Sequence, residues 1–297
     1  MLSSENFQEL LEPRFRKIFF DTYAELPEEF PDIYKVHTSK KAQEHDYHVA
    51  GTGLWEKKVP GQAIQQEEID TGDEVSYIHE AYAKMITIER ELADDELYGV
   101  MDKLPRKLAR GGRARVEMIA AATLNNGFVV NGYDGVPLFS DSHPLIKGGT
   151  ADNLMPSAPL SDTSLKEGMI MMRKNMVTEE GLKMQAKATD LVIPPDLEFR
   201  ALTILQSVGQ SDTGNRADNV IRNKLRPIVL SYLTSPTAWF LRDRVNADFN
   251  FFWRVKPEFK GAENFDNMVA KYRGYLRFSL GYSDWRGWLG NAGTSGD

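Results

Sequence analysis

Apolar positions in the first segment, Phe7, Leu10, Leu11, Phe15, Ile18, Phe19, Tyr23 and Leu26, recur at three- and four-residue intervals, the period of a helix with one buried face. Ser4 is placed to cap that helix and Pro13 to kink or interrupt it. From about Asp46 to Arg90 the period changes. Tyr47-His48-Val49 and Leu54-Trp55 lead to a turn at Val59-Pro60-Gly61-Gln62. After a second turn at Thr71-Gly72-Asp73 come Val75, Tyr77, Ile78, Tyr82, Met85, Ile86 and Ile88. β-Branched and aromatic residues bounded by Gly and Pro predict a long two-stranded hairpin. The strongest helical stripe follows: Leu97, Val100, Met101, Leu104 and Leu108, continued by Val116, Ile119, Ala120 and Leu124. Asp94 and Asp95 suit its positive end and Asn126-Gly127 its stop, while Pro105 and Gly111-Gly112 predict a bent or two-piece rod.

Beyond Gly127 the elements mix. Residues 128–130 predict a short strand, 163–176 a helix capped by Ser161 or Thr163, 188–193 a strand ended by Pro194-Pro195, and 198–207 another helix. Residues 209–219 form a polar loop, and 225–233, 239–241, 251–255 and 275–282 read as strands. Helices and strands without βαβ regularity predict an α+β fold.

Composition narrows the chemistry. The 297 residues include no Cys, which removes disulfide frameworks, thiolate metal sites and thiol catalysis. Apolar runs such as Met118–Ala122 are far below membrane-spanning length, and the acidic start is unlike a signal peptide; the sequence reads as made in the cytosol, with no membrane partner. A net charge of −7 argues against wholesale nucleic-acid binding.

Catalytic signals are weak. His45-Asp46-Tyr47-His48 holds metal-ligand types, the basis of an alternative reading as a metal-dependent hydrolase using His45, Asp46 and His48, but a strand sends residues three apart to opposite faces. Ser140-Asp141-Ser142-His143 has triad residue types, yet neighbours in one turn cannot relay a proton in triad geometry. No nucleophile elbow or phosphate-binding glycine loop occurs. The chain reads as a non-enzyme without cofactor or metal.

Charge is unevenly placed. Between Met101 and Arg115 stand Lys103, Arg106, Lys107, Arg110, Arg113 and Arg115 against Asp102 alone, which reads either as a solvated helix face or as a basic helix facing DNA or a neighbouring subunit. Residues 56–80 carry seven acids and two lysines, with Glu67, Glu68, Asp70, Asp73 and Glu74 as its candidate inter-subunit contacts. A basic helix and an acidic hairpin in one chain suit head-to-tail self-association.

Asp134-Gly135-Val136-Pro137-Leu138-Phe139-Ser140-Asp141-Ser142-His143-Pro144, Asn153, Leu191-Val192-Ile193-Pro194-Pro195 before Glu198-Phe199-Arg200-Ala201, and the closing Arg273-Gly274-Tyr275 and Gly281-Tyr282 with Trp285-Arg286-Gly287 resemble tailed-bacteriophage major capsid proteins of the Mu-like major head subunit type. The resemblance implies the Hong Kong 97-type capsid fold: an N-terminal arm (1–45), an extended E-loop hairpin (46–80), a peripheral domain with a long spine helix (81–126 and 246–297) and an axial domain (127–245). It implies self-assembly through pentamers and hexamers into an icosahedral shell enclosing double-stranded DNA held by non-specific contact. The partners implied are a separate scaffolding protein, a portal and cement proteins. The location implied is the virion, after synthesis in the host bacterial cytoplasm. Another self-assembling phage part, such as a tail-tube protein, is the remaining structural alternative; the long helix argues against it.

Overall fold

The computed structural model describes residues 7–51, 53–61, 63–64, 66, 71–89, 99–209, 218–264 and 269–294. Helix α1 (Phe7–Glu25) runs through Pro13 without a break. It buries Phe15, Phe19 and Tyr23, one turn apart, on Met101, Leu108, Ala109, Ile88, Phe259, Ala270 and Tyr272. Helix α2 (Val100–Asn125) also stays continuous across Pro105 and Gly111-Gly112. The break expected there is absent, and Gly112 is held between Leu276 and Tyr23, at ordinary contact distance from each. The second half of α2 sends Val116, Ala120 and Leu124 into a separate, larger core that also holds Trp239, Trp285 and Trp288. One helix thus joins two hydrophobic clusters.

Two four-stranded sheets complete the frame. Strands β1 (Lys35–Thr38), β4 (Glu80–Glu89), β10 (Asp248–Asn264) and β11 (Val269–Asp284) lie in the order β1-β10-β11-β4. The strands expected at 251–255 and 275–282 are the centres of β10 and β11, which are 17 and 16 residues long. Pro257 falls where the β10–β11 register shifts; a residue with no N–H to donate is tolerated at such a bulge. The second sheet holds β7 (Asp190–Ile193), β8 (Arg226–Val229), β9 (Trp239–Arg242) and β12 (Trp288–Asn291), ordered β12-β9-β7-β8. A two-residue pair, β5 (His143–Pro144) and β6 (Thr150–Ala151), lies between α2 and helix α3 (Asp162–Asn175) in sequence. Ser161 caps α3 through the Ser164 N–H, with Ser164 reciprocating. Helix α4 (Glu198–Gln206) follows β7.

Three expectations change. The run after Asp73 does not stay in one hairpin. Strand β2 (Gln43–Val49) pairs with β3 (Thr71–Ile78), and β4 then leaves to pair with β11. His79 marks the switch: it is buried, with Nε2 3.1 Å from Ser39 Oγ and Nδ1 2.8 Å from Ser279 Oγ. Gly72 and Asp73 begin β3 rather than turn the chain. Residues 128–130 are a turn, because the Val129 and Val130 N–H groups donate to Asn126 O at the end of α2 and have no donor left for a sheet. Ser4, Asp94 and Asp95, and most of the 209–219 loop, lie outside the described residues.

Candidate assembly surfaces

The basic residues of α2 divide into three groups. Lys103, Arg106, Lys107 and Arg110 are exposed, and their i, i+3, i+4, i+7 spacing places them on one helical face. Among the described residues none of the four has an acidic partner, and the nearby Asp102 is held by Arg14 at 2.7 Å. Arg113 is not on that surface, a correction to the expected basic face. It is 5% exposed, pairs with Glu28 at 2.5 Å, donates to Tyr23 O at 3.1 Å and lies 4.0 Å over the Tyr23 ring. It fastens the end of α1 to α2, because the helix period turns it toward the arm. Arg115 is exposed but stacks over Tyr82, 5.3 Å from the ring centroid. It overlooks a groove of about 440 Å³ between α2 and the β4–β11 edge. Nothing in the sequence pattern marked Tyr82 as part of a surface feature; Gly111-Gly112 inside a helix was the available signal.

Glu67, Glu68 and Asp70 lie outside the described residues. Asp73 is exposed, while Glu74 is paired within the hairpin to His45 Nδ1, which also lies 3.1 Å from Ser76 Oγ. Residues 53–59 have no regular secondary structure before the turn at Pro60-Gly61, and they leave Leu54 80% and Trp55 94% exposed.

The histidine cluster does not converge on a metal. Exposure alternates along β2, so His45 faces outward to Glu74, Asp46 Oδ1 accepts from the Tyr47 N–H, and His48 turns inward. There His48 Nε2 stands 3.6 Å from Glu179 and 3.7 Å from Asp284. Those carboxylates are already held by Arg286, at 3.0 and 3.1 Å, an arrangement that seats the hairpin base against the chain's own centre.

The Ser140–His143 turn is likewise structural. His143 Nδ1 is 2.5 Å from Asp134 Oδ2 and Nε2 is 3.1 Å from Asn153 Oδ1, so both ring nitrogens face oxygens and neither is aimed at a serine. Asn153 in turn donates to Leu138 O and accepts from the Ser140 N–H. The imidazole stacks on Trp285 at 4.1 Å, with the Arg286 guanidinium 4.5 Å from the Trp285 ring. Residues far apart in sequence thus lock the loop to the last strands.

The sequence model of the family described as phage capsid protein matches residues 73–291. Among solved structures, the asymmetric unit of the bacteriophage PhiM1 mature capsid aligns at TM-score 0.58 and 11% identity, over 92% of this chain and 89% of that one. A structure from Microbacterium phage Oxtober96 aligns at 0.54 and 9% over 91% and 93%. The capsid of bacteriophage JBD30 decorated with minor capsid protein trimers aligns at 0.58 and 13% over 70% and 92%. Among curated proteins the sequence has no match. At these identities the structures speak for the fold, and the family match extends over most of the chain: it belongs to the phage capsid protein family, and it is a structural protein rather than an enzyme.

Proposed function

We propose that the chain is the major head protein, assembling through pentamers and hexamers into an icosahedral shell around double-stranded phage DNA. The observation that carries this reading is the family match over residues 73–291; the hairpin supports it, since residues 53–59 leave large apolar side chains uncovered. An excursion with so little core of its own gains stability by lying across a neighbour, and isolated hairpins are marginal. Residues 1–45 serve as the arm, 46–80 as the E-loop, 81–126 with 246–297 as the peripheral domain, and 127–245 as the axial domain. The pairing of β4 with β11 and of β11 with β10 in one sheet supports joining 81–126 to 246–297.

The exposed face of Lys103, Arg106, Lys107 and Arg110 meets either packaged DNA or the acidic hairpin of the adjacent copy. Phosphate contact there is sequence-independent and weakens with salt. A scaffolding protein and a portal complete the assembly pathway, and decorating proteins bind outside, as the JBD30 capsid carries minor capsid protein trimers.

Negative-stain electron microscopy of the purified chain, alone and with its scaffold, tests the reading. Closed shells, pentamers or hexamers are expected; a monodisperse monomer under every condition, scaffold included, overturns it.

A further inference from the structure

We propose that Phe199 of one copy of this chain seats in an apolar cavity of the next copy around a ring, between Leu124, Phe128 and Phe240. This contact rests on the shell reading and deepens it by naming both halves of one joint. Phe199 lies in the first turn of α4, behind Pro194-Pro195, and is 79% exposed. Ala201, Ile204 and Leu205 of the same helix are buried, while Thr203 and Gln206, at i+4 and i+7 from Phe199, are exposed. An apolar ring thus stands on the polar side of an amphipathic helix.

The receiving cavity is open and holds about 230 Å³. Leu124, Phe128, Leu233 and Phe240 form its walls, and the small side chains of Ala238 and Ala292 leave the space. An apolar cavity of about 150 Å³ admits benzene, so a phenyl ring fits. No charged residue is among those lining it. Its Asn125 is already satisfied, with Nδ2 donating to Tyr232 O and Oδ1 accepting from the Thr234 N–H, both at 2.9 Å. Such a lining suits an uncharged, apolar occupant.

Sheet topology puts the two halves where a ring needs them. In the order β12-β9-β7-β8 the end strands are β12 and β8. Ala292 directly follows β12, whereas α4 packs beside β8, so cavity and Phe199 lie on opposite flanks. They also lie at one end of the sheet. Val192 pairs with Phe240 and Asn291 with Trp239, so β7 runs out toward α4 at the end where β9 begins and β12 finishes. Complementary patches on opposite flanks make a head-to-tail contact, which closes into a ring. Among the described residues, Phe199 is the one exposed large aromatic carried by this sheet and its helix. Burial of an apolar ring is non-directional, which lets one contact serve both pentamers and hexamers.

Two substitutions on opposite partners test the contact without threatening the fold. Phe199→Ser alters a side chain in solvent, and Ala292→Phe fills the cavity from a position that is itself exposed. Each is expected to leave thermal unfolding of the unassembled chain unchanged or improved. Each is also expected to lower the yield of closed shells by about tenfold or more, the scale of losing a central aromatic anchor. Because the chain has no Cys, an Arg200→Cys/Ala292→Cys double variant reads the contact with Phe199 in place; Arg200 is exposed. Its shells, oxidised or bridged by a short bis-maleimide, are expected to give covalent ladders that stop at pentamers and hexamers on a denaturing gel, since a disulfide forms only where Cα atoms approach within about 7 Å.

Normal shell yield from either single variant overturns the contact, and so do shells of the double variant that stay monomeric on the gel. Ladders running past the hexamer join separate rings and equally overturn it. In each of these cases the shell reading stands. Failure of the unaltered chain to assemble with its scaffold removes the shell reading itself.

Discussion

Glu117 offers a sharp test of how the arm is tied to the body. Its side chain is 5% exposed and accepts from the Glu29 and Phe30 N–H groups at 3.1 and 3.0 Å, capping the helical turn at Phe30–Asp32 that has no side-chain cap of its own. Burial pushes its carboxyl from 4.5 to about 7; the two N–H donors and Arg113 oppose that rise, and the nearby Glu29 adds to it. The folded state therefore holds this proton at pH values where the unfolded chain has lost it. Its contribution to stability falls as pH rises from 4.5 through 7 and is level above that. Between pH 5 and pH 8 the loss amounts to about 2.5 kcal/mol. Glu117→Gln replaces the carboxyl with a neutral isostere that still accepts a hydrogen bond. The variant is expected to match the parent near pH 5 and to exceed it by about 2 kcal/mol at pH 8. Urea unfolding followed by the fluorescence of buried Trp239, Trp285 and Trp288 measures this, and the other titrating groups cancel in the difference between chains. A variant less stable than its parent by the same amount at both pH values would refute the reasoning: it would mean that Arg113 and the two N–H groups keep the carboxylate ionised.

Asp190, fully buried, pairs with Arg242 at 2.9 Å and Arg244 at 2.6 Å. Asp190→Ala strands the buried Arg242 charge and is expected to cost about 3–5 kcal/mol in denaturant unfolding, whereas Arg244→Ala, with a half-exposed side chain, costs under about 1 kcal/mol. Gly293→Ala combines a φ of +70° with a Cβ 2.1 Å from Thr237 O and is expected to lose about 3 kcal/mol by thermal melt. Charge reversal at Arg106, Lys107 and Arg110 is expected to leave the monomer folded and to impair assembly or packaging; normal DNA-filled heads seen by electron microscopy would count against a role for that face.

By itself the sequence determined what depends on local period and capping. The stripes of α1, α2 and α3, a cap at Ser161 or Thr163, the turn at Pro60-Gly61 and the central stretches of β10 and β11 all follow from alternation or 3.6-residue spacing and from end chemistry. The ordered motifs from Asp134 to Arg286 pointed to the family, although not to the reason for their residue types. That reason is tertiary: His143, Asp134, Asn153 and Trp285 form one buried knot across some 150 residues of chain, and no local signal encodes such a pairing. Tertiary structure also decided where the run after Asp73 divides. Strand propensity is the same on both sides of His79, and only the waiting edge of β11 draws β4 away. It decided the fate of the basic residues too, since six cations within one helical stretch are alike in sequence until the arm claims Arg113 and the groove claims Arg115. Local order is set by spacing along the chain, whereas a surface is set by which neighbours arrive to cover it.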